Sequence, residues 1–301
     1  MNATFGLVRR FSTLAVLVAI GLSLIFNASL GSNHLGWQVA IALISLGIGI
    51  PHGAVDHLIT IPRTSKLRFY RFIALYVLVA VIAALAILKW NVLGFQIVVL
   101  MSTLHFGFGD ASFLAESGEL KMNRATEIAY ALAAGSLPVV LPLVNGKSTS
   151  ALERVNHHLV NWAQGFSHGL EITVWCFASI AFIFLIIQRR WRDLLDLVAL
   201  ALLAVIAPPL VAFAVYFGCW HAARHTARLT LLLKPSATPM WSAFKAGLPA
   251  LVATVIAAGA LALFSKNGFS STLLWSLLVV IWALTVPHMA ITARFDVRAL
   301  R

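Results

Sequence analysis

The chain has 301 residues, 60% of them hydrophobic and only 11% charged, with a mean hydropathy of +0.92. A soluble domain carries about 25% charged residues, so this composition excludes an ordinary water-soluble protein and describes a chain that mostly faces lipid. The net charge of +12 is not a nucleic-acid footprint, because the basic residues sit in short gaps between long apolar runs, where they set orientation and meet anionic lipid.

A membrane-spanning helix needs roughly 20 apolar residues. In chain order, the candidates lie at approximately 11–30, 35–57, 69–88, 92–114, 125–144, 171–188, 193–207, 209–233, 243–264 and 272–293. Arg9 and Arg10 before the first run mimic a signal peptide, but no small-x-small cleavage site follows, so the run reads as a retained helix. Pro208-Pro209 separates the short seventh run from the eighth. The two could be one broken element, which leaves nine or eight spans possible in place of ten. Leu152, Val155, Leu159 and Trp162 recur at near-helical spacing in the gap 145–170, which predicts a short amphipathic helix on the membrane surface. No soluble domain is visible, and 1–301 reads as a single transmembrane helical domain. Cys176 and Cys219 lie in apolar runs without a CxxC partner and offer no thiolate metal site.

Charge asymmetry orients this layout. With a cytoplasmic N-terminus, the inside segments hold every one of the 22 basic residues except Lys89, Lys147, Arg154 and Lys266. The expectation is therefore an all-α polytopic bundle of about ten spans (8–10), an even number, with both termini cytoplasmic.

Polar residues at membrane depth are expensive and mark function. Four segments carry them: Pro51-His52-Gly53-Ala54-Val55-Asp56-His57, His105-Phe106-Gly107-Phe108-Gly109-Asp110, Trp220-His221-Ala222-Ala223-Arg224-His225, and Pro287-His288. All four fall on even-numbered runs. His52, His105, His221 and His288 follow their run starts by similar intervals, so at roughly 1.5 Å per residue their depths agree within about 8 Å. Imidazoles from four helices at one level make a bundle-core site. His221 and His225, four apart, share a helix face and can chelate one ion. Imidazole suits Fe, Cu, Zn and Ni.

Asp56 and Asp110 lie four and five residues after His52 and His105, and are natural partners to hold an imidazole N–H. Gly53, Gly107 and Gly109 remove bulk beside the histidines, for helix packing or for a ligand. Phe106, Phe108, Tyr216, Phe217, Trp220 and Trp282 are candidates to line a cavity, or are core and lipid-facing residues. His57 and His288 read equally well as interhelical hydrogen-bond partners, and Arg224 and Arg228 as side chains snorkelling to the inner surface. The residues alone leave open a metal oxygenase, a haem-binding electron carrier, and a transporter using Asp56 and Asp110 as proton or cation sites.

The first three motifs, in this order, resemble the Brp/Blh family, the bacteriorhodopsin-related membrane β-carotene 15,15′-dioxygenases of bacteria and archaea. The late Pro-His at 287–288 fits the same pattern, so the resemblance runs from the second helix to the last. It implies a non-haem ferrous iron, Fe(2+), held by His52, His105, His221 and His225. It gives Asp56, His57, Asp110, Arg224 and His288 supporting roles. The implied reaction adds O₂ across the central 15,15′ double bond of β-carotene and yields two all-trans-retinal, supplying a retinal-binding microbial rhodopsin from the inner (plasma) membrane. Four neutral ligands would leave Fe(II) its double charge and, in an octahedral limit, two open positions. β-Carotene dissolves in the bilayer, so a site reached between helices and walled by aromatics suits it. Desaturase-like and hydroxylase-like membrane iron enzymes resemble a different pattern of several HxxxH and HxxHH boxes in cytosolic segments. This chain has one HxxxH.

Overall fold

The computed structural model describes residues 3–31, 34–56, 65–117, 122–146, 148–232, 237–264 and 269–300. Helices α1 (Ala3–Leu30) and α2 (Leu35–Gly49) lead into a 3-10 turn, Ile50–Val55. Next come α3 (Lys66–Lys89), α4 (Asn91–Glu116), α5 (Arg124–Val139), the short α6 (Leu141–Val144) and α7 (Ser148–Asn156). Helices α8 (Ser167–Ile187) and α9 (Trp191–Ile206) precede α10 (Pro209–Val215), which passes through a π-helical segment, Tyr216–Ala222, into α11 (Ala223–Thr230). The order ends with α12 (Pro239–Leu263) and α13 (Phe269–Ala299), and no strand occurs among the described residues.

All ten apolar runs are helical over their described residues. Seven helices among the described residues are long and apolar enough to cross a membrane: α1, α2 with its 3-10 turn, α3, α4, α8, α12 and the Thr272–Asp296 part of α13. The other three runs fall short for local reasons. Helix α5 has 16 residues and stops beside Pro138, and a second proline, Pro142, follows in α6. Helix α9 also has 16 and ends before Pro208-Pro209, with Pro209 at the first position of α10, where a missing N–H costs nothing. The α10–α11 run carries two histidines and two arginines in its second half.

Burial follows the helical period. In α1, Phe5, Val8, Arg9, Ser12, Val16, Ala19, Ile20 and Ser23 form one inward stripe, while Leu7, Leu14, Leu17, Leu24 and Ile25 face outward. Helix α5 is buried almost all round through Ala, Gly and Ser positions. Small residues let backbones meet where lipid supplies no hydrophobic drive between helices. A Cβ on Gly107 would stand 1.9 Å from the Ala131 carbonyl oxygen, and one on Gly135 would stand 1.9 Å from that of Thr103. That contact locks α4, and the His105 it carries, against α5.

Two expectations change here. The 145–170 gap does hold a helix, but its apolar face turns onto the protein. Leu152, Leu159 and Trp162 are buried, Trp162 packs edge-on to Phe95 at 5.4 Å, and its indole N–H donates to the Leu143 carbonyl at 3.3 Å. The arginines expected at an interface are also inside. Arg9, Arg190, Arg224 and Arg228 are buried. Arg9 binds Asp193 at 2.6 Å and Asp196 at 2.9 Å, Arg190 binds Asp193 at 2.6 Å, and Arg224 binds Asp196 at 3.1 Å. Arg228 pairs with Glu116 at 2.9 Å and with Asp296. Carboxylates within reach make inward burial cheaper than snorkelling for these four side chains.

Candidate metal centre

Pro51 stands at the start of the 3-10 turn, where its ring and missing N–H end the regular helix. The turn presents His52 inward. His105 comes from α4, His221 from the π segment, His225 from α11, and His288 from α13, one residue after Pro287. The expected common depth is realised as a single cluster. His52 has ring centroids of His221, His225 and His288 at 5.8, 5.6 and 4.8 Å. His105 lies 4.8 Å from His221, 6.4 Å from His225 and 5.0 Å from His288. His221 and His225 are 6.0 Å apart with near-parallel rings, and His225 is 5.3 Å from His288. All five are buried, whereas His34, His157, His158 and His168 are exposed. His57 lies outside the described residues.

Close approach of α2 and the π segment makes this possible. A Cβ on Gly218 would fall 1.8 Å from the Ser45 carbonyl oxygen. A Cβ on Gly109 would fall 3.0 Å from the His221 ring, so that glycine leaves room for the imidazole. π-Helical insertions in α-helices are frequent at functional sites.

The hydrogen bonds fix ring directions. His52 Nδ1 is 2.5 Å from the Gly49 carbonyl oxygen. A carbonyl can only accept, so Nδ1 carries the proton and, in the neutral ring, Nε2 carries the lone pair. Thr292 donates its hydroxyl hydrogen to the His288 carbonyl at 3.0 Å, so toward His105 Nδ1, at 3.3 Å, its oxygen accepts. Asp296 stands 3.8 Å from the same nitrogen. His288 Nδ1 donates to Asp56 Oδ2 at 2.8 Å. Outer acceptors therefore turn the Nε2 atoms of these three rings inward. The Nε2 atoms of all five histidines, and Nδ1 of His221 and His225, are buried and have no hydrogen-bond partner. Ring nitrogens of His52, His221 and His288 lie within 4.8 Å of one another.

Buried polar groups without partners are rare in folded proteins and call for an explanation such as an ion. Five converging imidazole nitrogens with no proton acceptor or donor between them have the chemistry of a cage for a borderline transition metal, and do not suit Mg or Ca. The donor set thus fits an iron ion.

The two aspartates do not hold the histidines that precede them. In a 3-10 turn, residues three apart eclipse, so a residue four on points elsewhere. Asp56 accordingly leaves His52 and binds His288. On α4, five residues rotate the chain by about 140° past a full turn. Asp110 therefore faces away from the cage and accepts from Tyr216 Oη at 3.0 Å and Trp220 Nε1 at 2.9 Å. Arg224 stacks over Trp220 at 3.6 Å and donates to Ser12 at 3.1 Å. It supports the π segment from behind.

Sequence reading passed over Thr292 and Asp296, although they follow His288 at helical intervals of four. It also passed over Tyr76, whose hydroxyl lies 3.4 Å from Asp56 Oδ2. Phe106 and Phe217 pack on the cage, at 4.4 Å from His221 and 5.5 Å from His52. Phe213 continues this wall, 6.0 Å from Phe217, to an apolar pocket lined by Phe95, Val98, Leu152, Leu159, Phe213 and Trp282 among others.

The model of the family described as Beta-carotene 15,15'-dioxygenase matches residues 39–296, from α2 to near the end of α13. A protein of that name from an uncultured marine bacterium is 28% identical over 266 residues, covering 83% of this chain and 90% of the relative. No solved structure matches. The matched span contains all five cage histidines, and the chain belongs to the Beta-carotene 15,15'-dioxygenase family.

Proposed function

We propose that this chain is a membrane enzyme that cleaves the central 15,15′ double bond of β-carotene with O₂, giving two all-trans-retinal. The observation that carries the reading is the buried cage of partnerless imidazole nitrogens, in a chain matched by this family along most of its length. His52, His105, His221 and His225 are the residues we assign to hold Fe(2+). Bound there, ferrous iron supplies the oxygen chemistry that an all-protein site lacks. Each of the two carbons of the broken double bond leaves with one oxygen atom as an aldehyde, so atoms balance without a further reductant.

The protein's part is orientation and exclusion. Gly49, Thr292 and Asp56 hold Nδ1 positions and keep ring rotamers fixed. Phe106 and Phe217 give the cage an apolar wall on one side, suited to a polyene with no hydrogen-bonding group near its centre. The apolar pocket beyond Phe213 extends that wall. Behind His105, Arg228 offsets the charge of Asp296.

The whole chain acts as one transmembrane domain of about ten spans in the inner membrane, with both termini cytoplasmic. Exposed Arg10, Lys66, Arg68, Arg71, Arg124, Arg189, Arg192, Lys245, Arg294 and Arg298 support that orientation. Retinal released into the bilayer would serve a retinal-binding rhodopsin.

The test is expression in a β-carotene-accumulating bacterium. The expected outcome is bleaching of the cells with retinal in the extract. Unchanged carotenoid, with the protein present in the membrane, would count against the reading.

A further inference from the structure

We infer that His288 is a fifth ligand of the metal, and that Asp56 is the carboxylate that orients it. The inference rests on the metal reading above and extends it to a residue that motif matching left as a neighbour.

The His288 ring lies 4.8, 5.0 and 5.3 Å from those of His52, His105 and His225. The four assigned ligands stand farther apart in most of their own pairs, such as 5.8 Å for His52–His221 and 6.4 Å for His105–His225. His288 thus sits among them, not behind one of them. Its nitrogens also come within 4.8 Å of ligand atoms of His52 and His221, and of Asp56 and His225.

The two nitrogens of His288 are used differently. Nδ1 is 2.8 Å from Asp56 Oδ2 and both side chains are buried. Tyr76, which lies 3.1 Å from the Leu284 carbonyl one turn before His288, also reaches Asp56 at 3.4 Å. Nε2 is buried and has no partner. A histidine kept only to tie α13 to the 3-10 turn would need the Asp56 bond alone, and its second nitrogen would turn to an acceptor or to solvent. Here that nitrogen is aimed into the cage. Carboxylate, then Nδ1–H, then a free Nε2 is the arrangement that carboxylate–histidine–metal units use to fix tautomer and raise ligand basicity.

Asp56 cannot serve His52, because the 3-10 turn separates their directions. The same turn that delivers His52 therefore delivers the orienting carboxylate for a histidine from another helix. A Cβ on Gly53 would lie 3.6 Å from His288 Nδ1, so the ring passes close beside this stretch.

The test uses the full-length protein purified in detergent, stripped of metal and titrated with Co²⁺, whose d–d absorption reports ligand number and type. His288→Ala and the more conservative His288→Gln are expected to weaken Co²⁺ binding by at least about 10-fold and to alter the bound spectrum, and Asp56→Leu to weaken it by about 10-fold, within the range outer-shell partners contribute. Added imidazole is expected to restore the wild-type spectrum to His288→Ala, which no merely structural role would produce. Wild-type affinity and spectrum in all three variants would overturn the assignment of His288 while leaving the metal reading intact. Failure of the wild-type protein itself to bind Co²⁺ or iron would overturn both.

Discussion

Two buried polar regions sit side by side in this bundle, and they differ in one respect. In the ion-pair layer, Arg9, Arg190 and Arg224 share Asp193 and Asp196, and Arg228 lies between Glu116 and Asp296. Each of those charges has met an opposite charge, as burial demands. In the histidine cage, five rings turn unpartnered nitrogens toward one another. The layer accounts for itself as structure. The cage does not, and unexplained burial of lone pairs is what makes it the candidate site.

That contrast predicts different consequences for removing one member of each region. In the cage, His221→Ala is expected to abolish bound iron and reduce retinal formation by more than about 100-fold, beyond what outer-shell changes cost elsewhere. The protein should remain folded in the membrane, because the change removes a buried group that lacks partners. Retained iron stoichiometry with retained turnover would strike His221 from the ligand set. In the layer, Arg9→Met should leave iron per folded chain unchanged and lower stability by about 2 kcal/mol, since Asp193 and Asp196 each lose a charged hydrogen bond while keeping Arg190 and Arg224. Arg124, largely exposed and paired with Glu127, offers the control: Arg124→Ala is expected to cost about 1 kcal/mol or less. Thermal denaturation in detergent measures both. An Arg9→Met chain that melts like the wild type, or that loses iron while still folded, would break the division between the two regions.

Much of the architecture was legible in the sequence because lipid imposes a simple rule on composition. Ten apolar runs became helices, and Pro208-Pro209 did separate two of them. The convergence of His52, His105, His221 and His288 was legible for the same reason, since helical rise converts position in a run into depth. The i,i+4 spacing of His221 and His225 placed both rings in the cluster even across the junction of a π segment and α11. What was not legible depended on local departures from the α-helix. Asp56 was matched to His52 by a helical interval, but that stretch is a 3-10 turn. Asp110 was matched to His105 at an interval of five, which no regular helix keeps on one face. Arg9 was hidden because its carboxylate partners, Asp193 and Asp196, lie more than half the chain away, and those of Arg224 and Arg228 lie on other helices.

The central claim is that the cage holds one non-haem iron, and metal analysis of the purified wild-type protein with its visible absorption spectrum tests it most directly. About one iron per chain, with no intense haem band, is the result predicted for a single-ion imidazole cage. A chain that carries haem, or one that is folded and cleaves β-carotene with no transition metal bound, would contradict the account.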